Sequence, residues 1–108
     1  MKTFDIYTFD FPGAGVHPVV ILGEETRVAN KPKINVLLCS TQRATRQAEA
    51  HEIILDESDG LDWPTICKCD LLYTAEKKHV QKKRGTVTGE RRRILAEKLI
   101  RSLGLAGL

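Results

Sequence analysis

Two kinds of segment are missing from this sequence. It has no run of about 18 apolar residues, the length that a membrane-spanning helix requires, and its first five residues, MKTFD, lack the apolar stretch of a secretory signal. We therefore expect a cytoplasmic protein that does not contact a membrane. The remaining composition, with 42% hydrophobic and 29% charged residues over 108 positions, is typical of one globular domain spanning residues 1–108.

Cysteine is scarce, and its number is odd. The three cysteines cannot all pair with one another, which argues against a full disulfide framework. Cys67 and Cys69 are two residues apart and Cys39 is distant, whereas structural zinc usually takes two closely spaced pairs of ligands. We interpret the three as buried free thiols. The sequence predicts neither a metal site nor a cofactor.

Acidic residues are nearly absent from one part of the chain. Between Lys77 and Arg101 there are ten basic residues and only Glu90 and Glu97, a balance of +8, so the rest of the chain carries −5 of the total of +3. Such a basic C-terminal third suggests a polyanion or an acidic protein as the partner. A solvated helix face would give the same run of charge, and both interpretations stay open.

The stretch from Ile34 to Gln42 gives the main indication of the fold. If it is extended, both of its faces are apolar at first, which predicts a strand in the middle of a sheet or in a barrel wall. It ends in Ser40, Thr41 and Gln42, and a rigid strand can hold such polar groups in fixed positions. A core strand that runs into an ordinary loop is the alternative, because loops are rich in these residues.

The other predicted elements are short strands and one helix. We expect strands at 4–11, 17–22, 51–56 and 65–73 and a short last strand at 85–87, with loop-like segments at 23–33 and 75–83. The strand at 51–56 is expected to be half exposed, with Glu52 on its polar side. Thr88 is expected to cap a helix that ends at about Leu103, whose apolar stripe begins at Leu95. This pattern predicts a mainly β fold, a small curved sheet or barrel of five to six strands with one amphipathic C-terminal helix.

Several short motifs follow one another along the chain. In order they are Asp5-Ile6-Tyr7, Phe9-Asp10, Pro12, His17-Pro18-Val19-Val20-Ile21-Leu22, Cys39-Ser40-Thr41-Gln42, Cys69-Asp70-Leu71-Leu72 and Gly85-Thr86-Val87. Their order and spacing resemble those of the MazF/PemK toxins of bacterial toxin–antitoxin pairs, over nearly the whole chain. The resemblance implies an SH3-like or CcdB-like barrel, a homodimer, and a metal-independent endoribonuclease that cuts single-stranded RNA and inhibits growth. It also implies a cognate antitoxin whose acidic, flexible tail lies over the RNA groove.

The sequence departs from this family pattern at two places. His17-Pro18 stands where the family typically has Arg-Pro, and that arginine is held to be catalytic. The loop at 13–16 is also shorter than is usual in the family, where this loop often gates the substrate. The loop bears on how RNA enters the site and which sequence is cut, and the missing arginine bears on whether His17 takes over its catalytic role.

The resemblance and the chemistry of RNA together indicate candidate site residues. RNA is cut without a metal when its 2′-hydroxyl attacks the adjacent phosphate to give a 2′,3′-cyclic phosphate, which needs a base, an acid and hydrogen-bond donors. His17 can act as acid or base near neutral pH, and Ser40, at the position of the family's catalytic threonine, can donate to a phosphate oxygen. Thr41 is a neighbouring donor. The RNA-binding candidates are Gln42, Arg43, Arg46 and Lys68.

Some residues have competing interpretations. Lys68 and Asp70 would lie side by side on one face of a strand, where they would contact RNA or simply pair with each other. Trp63 would stack on a base or serve as a core or interface residue, which its place beside Pro64 favours.

Two other functions fit the same fold. One is a CcdB-like protein that poisons DNA gyrase by contact and performs no chemistry, and the other is a noncatalytic nucleic-acid-binding barrel that uses the basic C-terminal third. Incubation with a long RNA and EDTA separates all three hypotheses.

Overall fold

The computed structural model describes residues 1–108. Its strands are β1 (Asp5–Phe11), β2 (Gly15–Leu22), β3 (Lys33–Arg43), β4 (Glu52–Leu55), β5 (Thr65–Glu76) and β6 (Val80–Thr86), and its helices are α1 (Glu25–Asn30) and α2 (Gly89–Ser102). Short 3₁₀ turns occupy Glu57–Asp59 and Lys77–His79. Neither α-helix has the length and apolarity needed to cross a membrane.

All six strands form one antiparallel sheet in the order β4-β5-β3-β2-β1-β6. The central position of β3 follows from its residues, since Ile34 and Val36 are fully buried in one core and Leu37 and Cys39 are fully buried in the other. Alternate side chains of a strand point to opposite faces, so both faces of β3 are dry. The mainly β fold and the central strand predicted from the sequence are confirmed.

The two edges of the sheet approach each other through a backbone contact. The 3₁₀ turn after β4 lies so close to β6 that a Cβ atom on Gly85 would overlap the carbonyl oxygen of Asp59. The Asp59 carboxylate also accepts a hydrogen bond of 2.9 Å from the backbone N–H of Thr88. The sheet is therefore curled, and only glycine fits at position 85.

Helix α2 covers the core on one face of the sheet. Leu95 is fully buried there, and Arg91 donates to both carboxylate oxygens of Asp56, at 2.7 and 3.0 Å. These hydrogen bonds lower the pKa of Asp56 to about 2. The predicted apolar stripe is only partly packed, because Ile100 and Leu103 remain 45% and 50% exposed. Thr88 is the N-cap residue of α2, as predicted, but its side chain makes no capping hydrogen bond.

Two segments expected to be irregular are ordered elements. Residues 25–30 form helix α1, which is anchored by a single buried side chain, Val28, too little apolar periodicity to recognise in the sequence. Residues 80–86 form β6, which begins well before the short strand predicted at 85–87, because its lysines and arginine do not match a strand pattern. An edge strand needs only one neighbour, and charged side chains there prevent pairing with other chains.

All three cysteines are buried free thiols, as predicted. Cys39 and Cys67 are direct cross-strand neighbours on β3 and β5. Contact with Cys39, together with burial, raises the pKa of the Cys67 thiol. A thiol of raised pKa holds its proton and is a poor nucleophile at neutral pH, so Cys67 serves the core.

Candidate active site

A cavity of about 260 Å³ opens beside the ends of β2 and β3. Its lining residues are Thr8, Val16, His17, Pro18, Ser40, Thr41, Trp63, Thr65 and Arg84. The three catalytic candidates taken from the sequence, His17, Ser40 and Thr41, are thus brought together on one concave surface.

His17 is placed by the pairing of β2 with β3. Val19 pairs with Leu38, and continuing this antiparallel register places His17 opposite Ser40. The His17 Nδ1 atom lies 3.3 Å from the carbonyl oxygen of Cys39. A carbonyl oxygen can only accept, so Nδ1 carries the hydrogen in this contact and a neutral ring leaves Nε2 unprotonated. The site therefore contains an imidazole nitrogen that can accept a proton.

Ser40 and Thr41 sit in an irregular part of β3. Cys39 pairs with Cys67 and Arg43 pairs with Thr65, so three residues of β3 lie opposite the single residue Ile66 of β5. Extra residues in one strand bulge away from its partner and redirect their side chains, a feature common beside active sites. This irregularity explains how the neighbouring residues Ser40 and Thr41, which would face opposite ways on a regular strand, line one cavity.

The hydroxyl of Ser40 retains its donor. Its oxygen accepts a hydrogen bond of 3.2 Å from the backbone N–H of Gln42, which orients the side chain without using the hydroxyl hydrogen. Ser40 is half-buried and Thr41 is exposed. Both hydroxyls are consequently accessible to a ligand in the cavity.

The RNA-binding candidates lie in a second hollow of about 160 Å³ next to the first. Gln42, Arg43, Arg46 and Lys68 line it, and Ser40 belongs to both. A chain that crosses Ser40 can therefore reach both hollows. The seven predicted site residues form one continuous surface rather than one pocket.

Arg46 already has a partner within the protein. Its guanidinium donates to both carboxylate oxygens of Glu52, at 2.7 and 2.9 Å. Glu52 is 6% exposed, so its expected place on a polar face of β4 was wrong. The reason is that a buried carboxylate is tolerated when it is paired and hydrogen-bonded. Hydrogen bonds from Arg46 lower the pKa of Glu52 to about 2.

Lys68 also turns toward Glu52. Its Nζ atom lies 4.0 Å from the second carboxylate oxygen of Glu52, so the suggested pair with Asp70 is replaced by a longer-range partner from the neighbouring strand. Asp70 is exposed. The Glu52 carboxylate thus joins two of the four RNA-binding candidates into one ion-paired group.

The sequence did not indicate three of the cavity's polar side chains, those of Arg84 on β6, Thr65 on β5 and Thr8 on β1. Trp63, interpreted as a core or interface residue, is half-buried and lines the cavity, and the Thr65 hydroxyl donates to its backbone carbonyl at 3.0 Å. Gly85, isolated inside the strand pattern next to Arg84, was the one available signal, because such glycines mark bulges and close backbone contacts.

Comparison with known proteins identifies relatives of the chain. Residues 2–103 match the family model of the PemK-like, MazF-like toxins of type II toxin–antitoxin systems. No curated protein matches the sequence significantly.

Solved structures share the fold at low sequence identity. A Mycobacterium tuberculosis toxin, MazF-mt6, is 23% identical with a TM-score of 0.80, over 94% of this chain and 97% of that one. An endoribonuclease from a mycobacterial species, in complex with its cognate antitoxin, is 21% identical with a TM-score of 0.85, over 100% and 99% of the two chains. A MazE–MazF structure from Deinococcus radiodurans is 12% identical with a TM-score of 0.78, over 98% and 97%.

Proposed function

The chain belongs to the PemK-like, MazF-like toxin family of type II toxin–antitoxin systems, and from this premise we propose that it is an endoribonuclease that cleaves single-stranded RNA without a metal ion. The observation that supports this most is the geometry at His17. Its Nδ1 atom is held by the Cys39 carbonyl, and its ring shares a cavity with the hydroxyls of Ser40 and Thr41.

The proposed reaction uses the RNA's own nucleophile. His17 Nε2 takes the proton of the 2′-hydroxyl, and the 2′-oxygen forms a bond to the adjacent phosphorus. Ser40 and Thr41 donate hydrogen bonds to the non-bridging phosphate oxygens as charge accumulates there. The bond from phosphorus to the 5′-oxygen breaks, and the imidazolium returns its proton to that oxygen. The products end in a 2′,3′-cyclic phosphate and a 5′-hydroxyl.

A single histidine carries both proton transfers in this scheme. Among the side chains that line the cavity, His17 is the only one whose type ionises near neutral pH. The proton that it removes is the proton that it later donates, so the protein ends each cycle in its starting state.

The flanking RNA runs into the second hollow. Gln42 and Arg43 are exposed there beside Ser40, and we assign them contacts to the neighbouring phosphates. Lys68 and the outer edge of Arg46, whose side chain is 45% exposed, add positive charge along this path. Trp63 offers a ring face in the cavity for a base next to the cut phosphate.

The proposed protein partners are a cognate antitoxin and a second copy of this chain. Structures of relatives contain a cognate antitoxin, and the basic C-terminal third suits an acidic segment. Not every cation in that third is free for a partner, since Arg91 is bound to Asp56 and Asp59. Sedimentation of the purified protein tests the homodimer, and coexpression with a small acidic protein encoded beside it tests the antitoxin.

Cleavage of a long RNA in EDTA tests the proposed function. Purified protein is expected to produce fragments that end in 2′,3′-cyclic phosphate, and His17→Ala is expected to produce none at the same concentration. Intact RNA together with inhibited DNA supercoiling would instead establish the gyrase-binding function. A gel shift without cleavage would establish a noncatalytic nucleic-acid-binding barrel.

A further inference from the structure

We propose that Arg84 is a catalytic residue that binds the phosphate at the bond that is cut. Its guanidinium donates to the non-bridging oxygens opposite the donors Ser40 and Thr41. The inference rests on the endoribonuclease function proposed above and adds to it the cation that the reaction needs.

Arg84 is the only lysine or arginine among the side chains that line the catalytic cavity. Negative charge accumulates on the phosphate as the 2′-oxygen attacks, and neutral hydroxyls alone stabilise it less than a charged donor does. A planar guanidinium can donate two parallel hydrogen bonds to two phosphate oxygens. Arg84 therefore supplies a permanent positive charge, which His17, Ser40 and Thr41 do not.

The backbone of β6 turns Arg84 into the cavity. Ile6 of β1 pairs with Gly85, but the next residue, Tyr7, pairs with Lys83. Arg84 is thus an extra residue without a partner on β1, which is a β-bulge. A bulge redirects the side chain of its extra residue, and here that side chain joins Thr8 of the adjacent strand in the cavity lining.

A tight backbone contact fixes this bulge. Gly85 follows Arg84 directly and lies against the Asp59 carbonyl with no room for a Cβ atom. Gly60 approaches from the same turn, and a Cβ there would lie 3.0 Å from the Gly85 Cα atom. Asp59 in turn is held by Thr88 and Arg91. The backbone at Arg84 is therefore fixed before any ligand binds, so that only the side chain has to be ordered.

The guanidinium of Arg84 is available to a ligand. Its one ion pair is with Asp62, at 3.6 Å, and the Asp62 side chain is 75% exposed. A long ion pair with an exposed partner contributes little to stability, so a phosphate can displace Asp62. Arg46 differs, because it is held by two short hydrogen bonds to a buried carboxylate.

Single-turnover cleavage in EDTA by four proteins tests this role: wild type, Arg84→Gln, Arg84→Lys and Arg27→Gln. Arg84→Gln is expected to lower kcat/KM by about 10²–10³-fold, as the loss of a charged donor to the transition state does. Arg84→Lys keeps the positive charge but loses the two parallel N–H donors of the guanidinium, so an intermediate reduction of kcat/KM is expected. Arg27 is exposed on α1 and lines neither hollow, which makes Arg27→Gln the control for a lost charge.

A sulfur substitution separates phosphate contact from a structural role. Replacing either non-bridging oxygen of the cut phosphate by sulfur is expected to slow the wild type, because the guanidinium donates to both oxygens. Arg84→Gln is expected to lose most of this sensitivity and to keep only the part that comes from the Ser40 and Thr41 hydroxyls. A residue that merely supports the fold would slow both substrates equally. Circular dichroism and thermal melting check that the variants are folded. If Arg84→Gln is not folded, Arg84→Lys is used instead to measure both the cleavage rate and the sulfur sensitivity.

The two proposals fail in different ways. A wild-type protein that leaves RNA intact in EDTA overturns the ribonuclease function, and the role of Arg84 with it. A wild type that cleaves, together with Arg84→Gln that matches Arg27→Gln in rate and keeps the sulfur sensitivity, overturns the role of Arg84 alone.

Discussion

The two hollows that meet at Ser40 differ in how their polar groups are bonded. In the first hollow, which contains His17 and Arg84, His17 has one hydrogen-bond contact of 3.3 Å, and the ion pair of Arg84 is long and has an exposed partner. In the second hollow, Arg46 is bound to the buried carboxylate of Glu52 by two short hydrogen bonds. Groups that satisfy each other stabilise the fold, whereas groups with free donors or acceptors can bind a ligand. We therefore expect the first hollow to carry the chemistry, and the ion pair of Arg46 in the second hollow mainly to stabilise the fold.

Removal of the imidazole is expected to have the largest effect. We expect His17→Ala to lower kcat/KM for RNA by about 10²–10⁴-fold, the usual contribution of a general acid–base group. His51→Ala is the matched control, because His51 is exposed and lines neither hollow. Equal rates for the two variants would remove His17 from the mechanism.

Removal of the hydroxyl donors is expected to have a smaller effect than the loss of His17 or Arg84. Ser40→Ala and Thr41→Val are each expected to slow cleavage by about 10- to 100-fold, since a hydrogen bond to a charged group contributes about 1.5–3 kcal/mol. Thr26→Ala, an exposed hydroxyl on α1, is expected to cleave at the wild-type rate. The measurement is single-turnover cleavage at saturating protein. If both site variants kept the full rate, the donors would have to lie elsewhere.

The two arginines of the second hollow differ in whether they have a partner within the protein. Arg43 is exposed and makes no ion pair, whereas Arg46 is bound to Glu52. Arg43→Gln is expected to raise KM with kcat and the thermal midpoint unchanged, because it removes uniform binding. Arg46→Gln is expected to lower the thermal midpoint. Steady-state kinetics and thermal melting of both variants check this, and a reversed pattern would contradict the assignment of support to the ion pair.

The smallest expected effect is on stability in acid. Glu52 has a folded-state pKa of about 2, below its ordinary value of 4.5, so it binds protons more weakly when folded. This part of the free energy of unfolding is present above pH 4.5 and is lost as the pH falls toward about 2. Glu52→Gln is therefore expected to flatten the acid dependence of stability in that window. Urea unfolding at several pH values measures it, and an unchanged slope would argue against the pair.

Local patterns were enough to predict the central strand. β3 was recognised because alternation of side chains is a property of neighbouring residues, and its two dry faces required a central position. Helix α1 and the first part of strand β6, residues 80–84, were missed because their order depends on tertiary contacts. Val28 alone docks α1, and β6 is identified by its pairing with β1 rather than by its own residues.

The candidate site was predictable to the extent that it lies at strand ends. His17, Ser40 and Thr41 were found because motif and polarity mark them. The motifs also show that the family's arginine is missing at position 17, but they do not indicate that Arg84 lines the cavity. The place of that side chain depends on the contact between Gly85 and Asp59, which are far apart in the sequence. Likewise, the pair between Arg46 and Glu52 depends on burial that no local pattern shows.

The most direct test of the account is cleavage of an RNA oligonucleotide with a single 2′-deoxynucleotide. The cut position is first mapped on a long RNA, and the deoxynucleotide is then placed on the 5′ side of the cut bond, with EDTA present. Attack by the 2′-hydroxyl within the cavity predicts that this bond alone becomes resistant, while the all-ribose oligonucleotide gives a 2′,3′-cyclic phosphate. Continued cleavage at the deoxynucleotide would contradict the account.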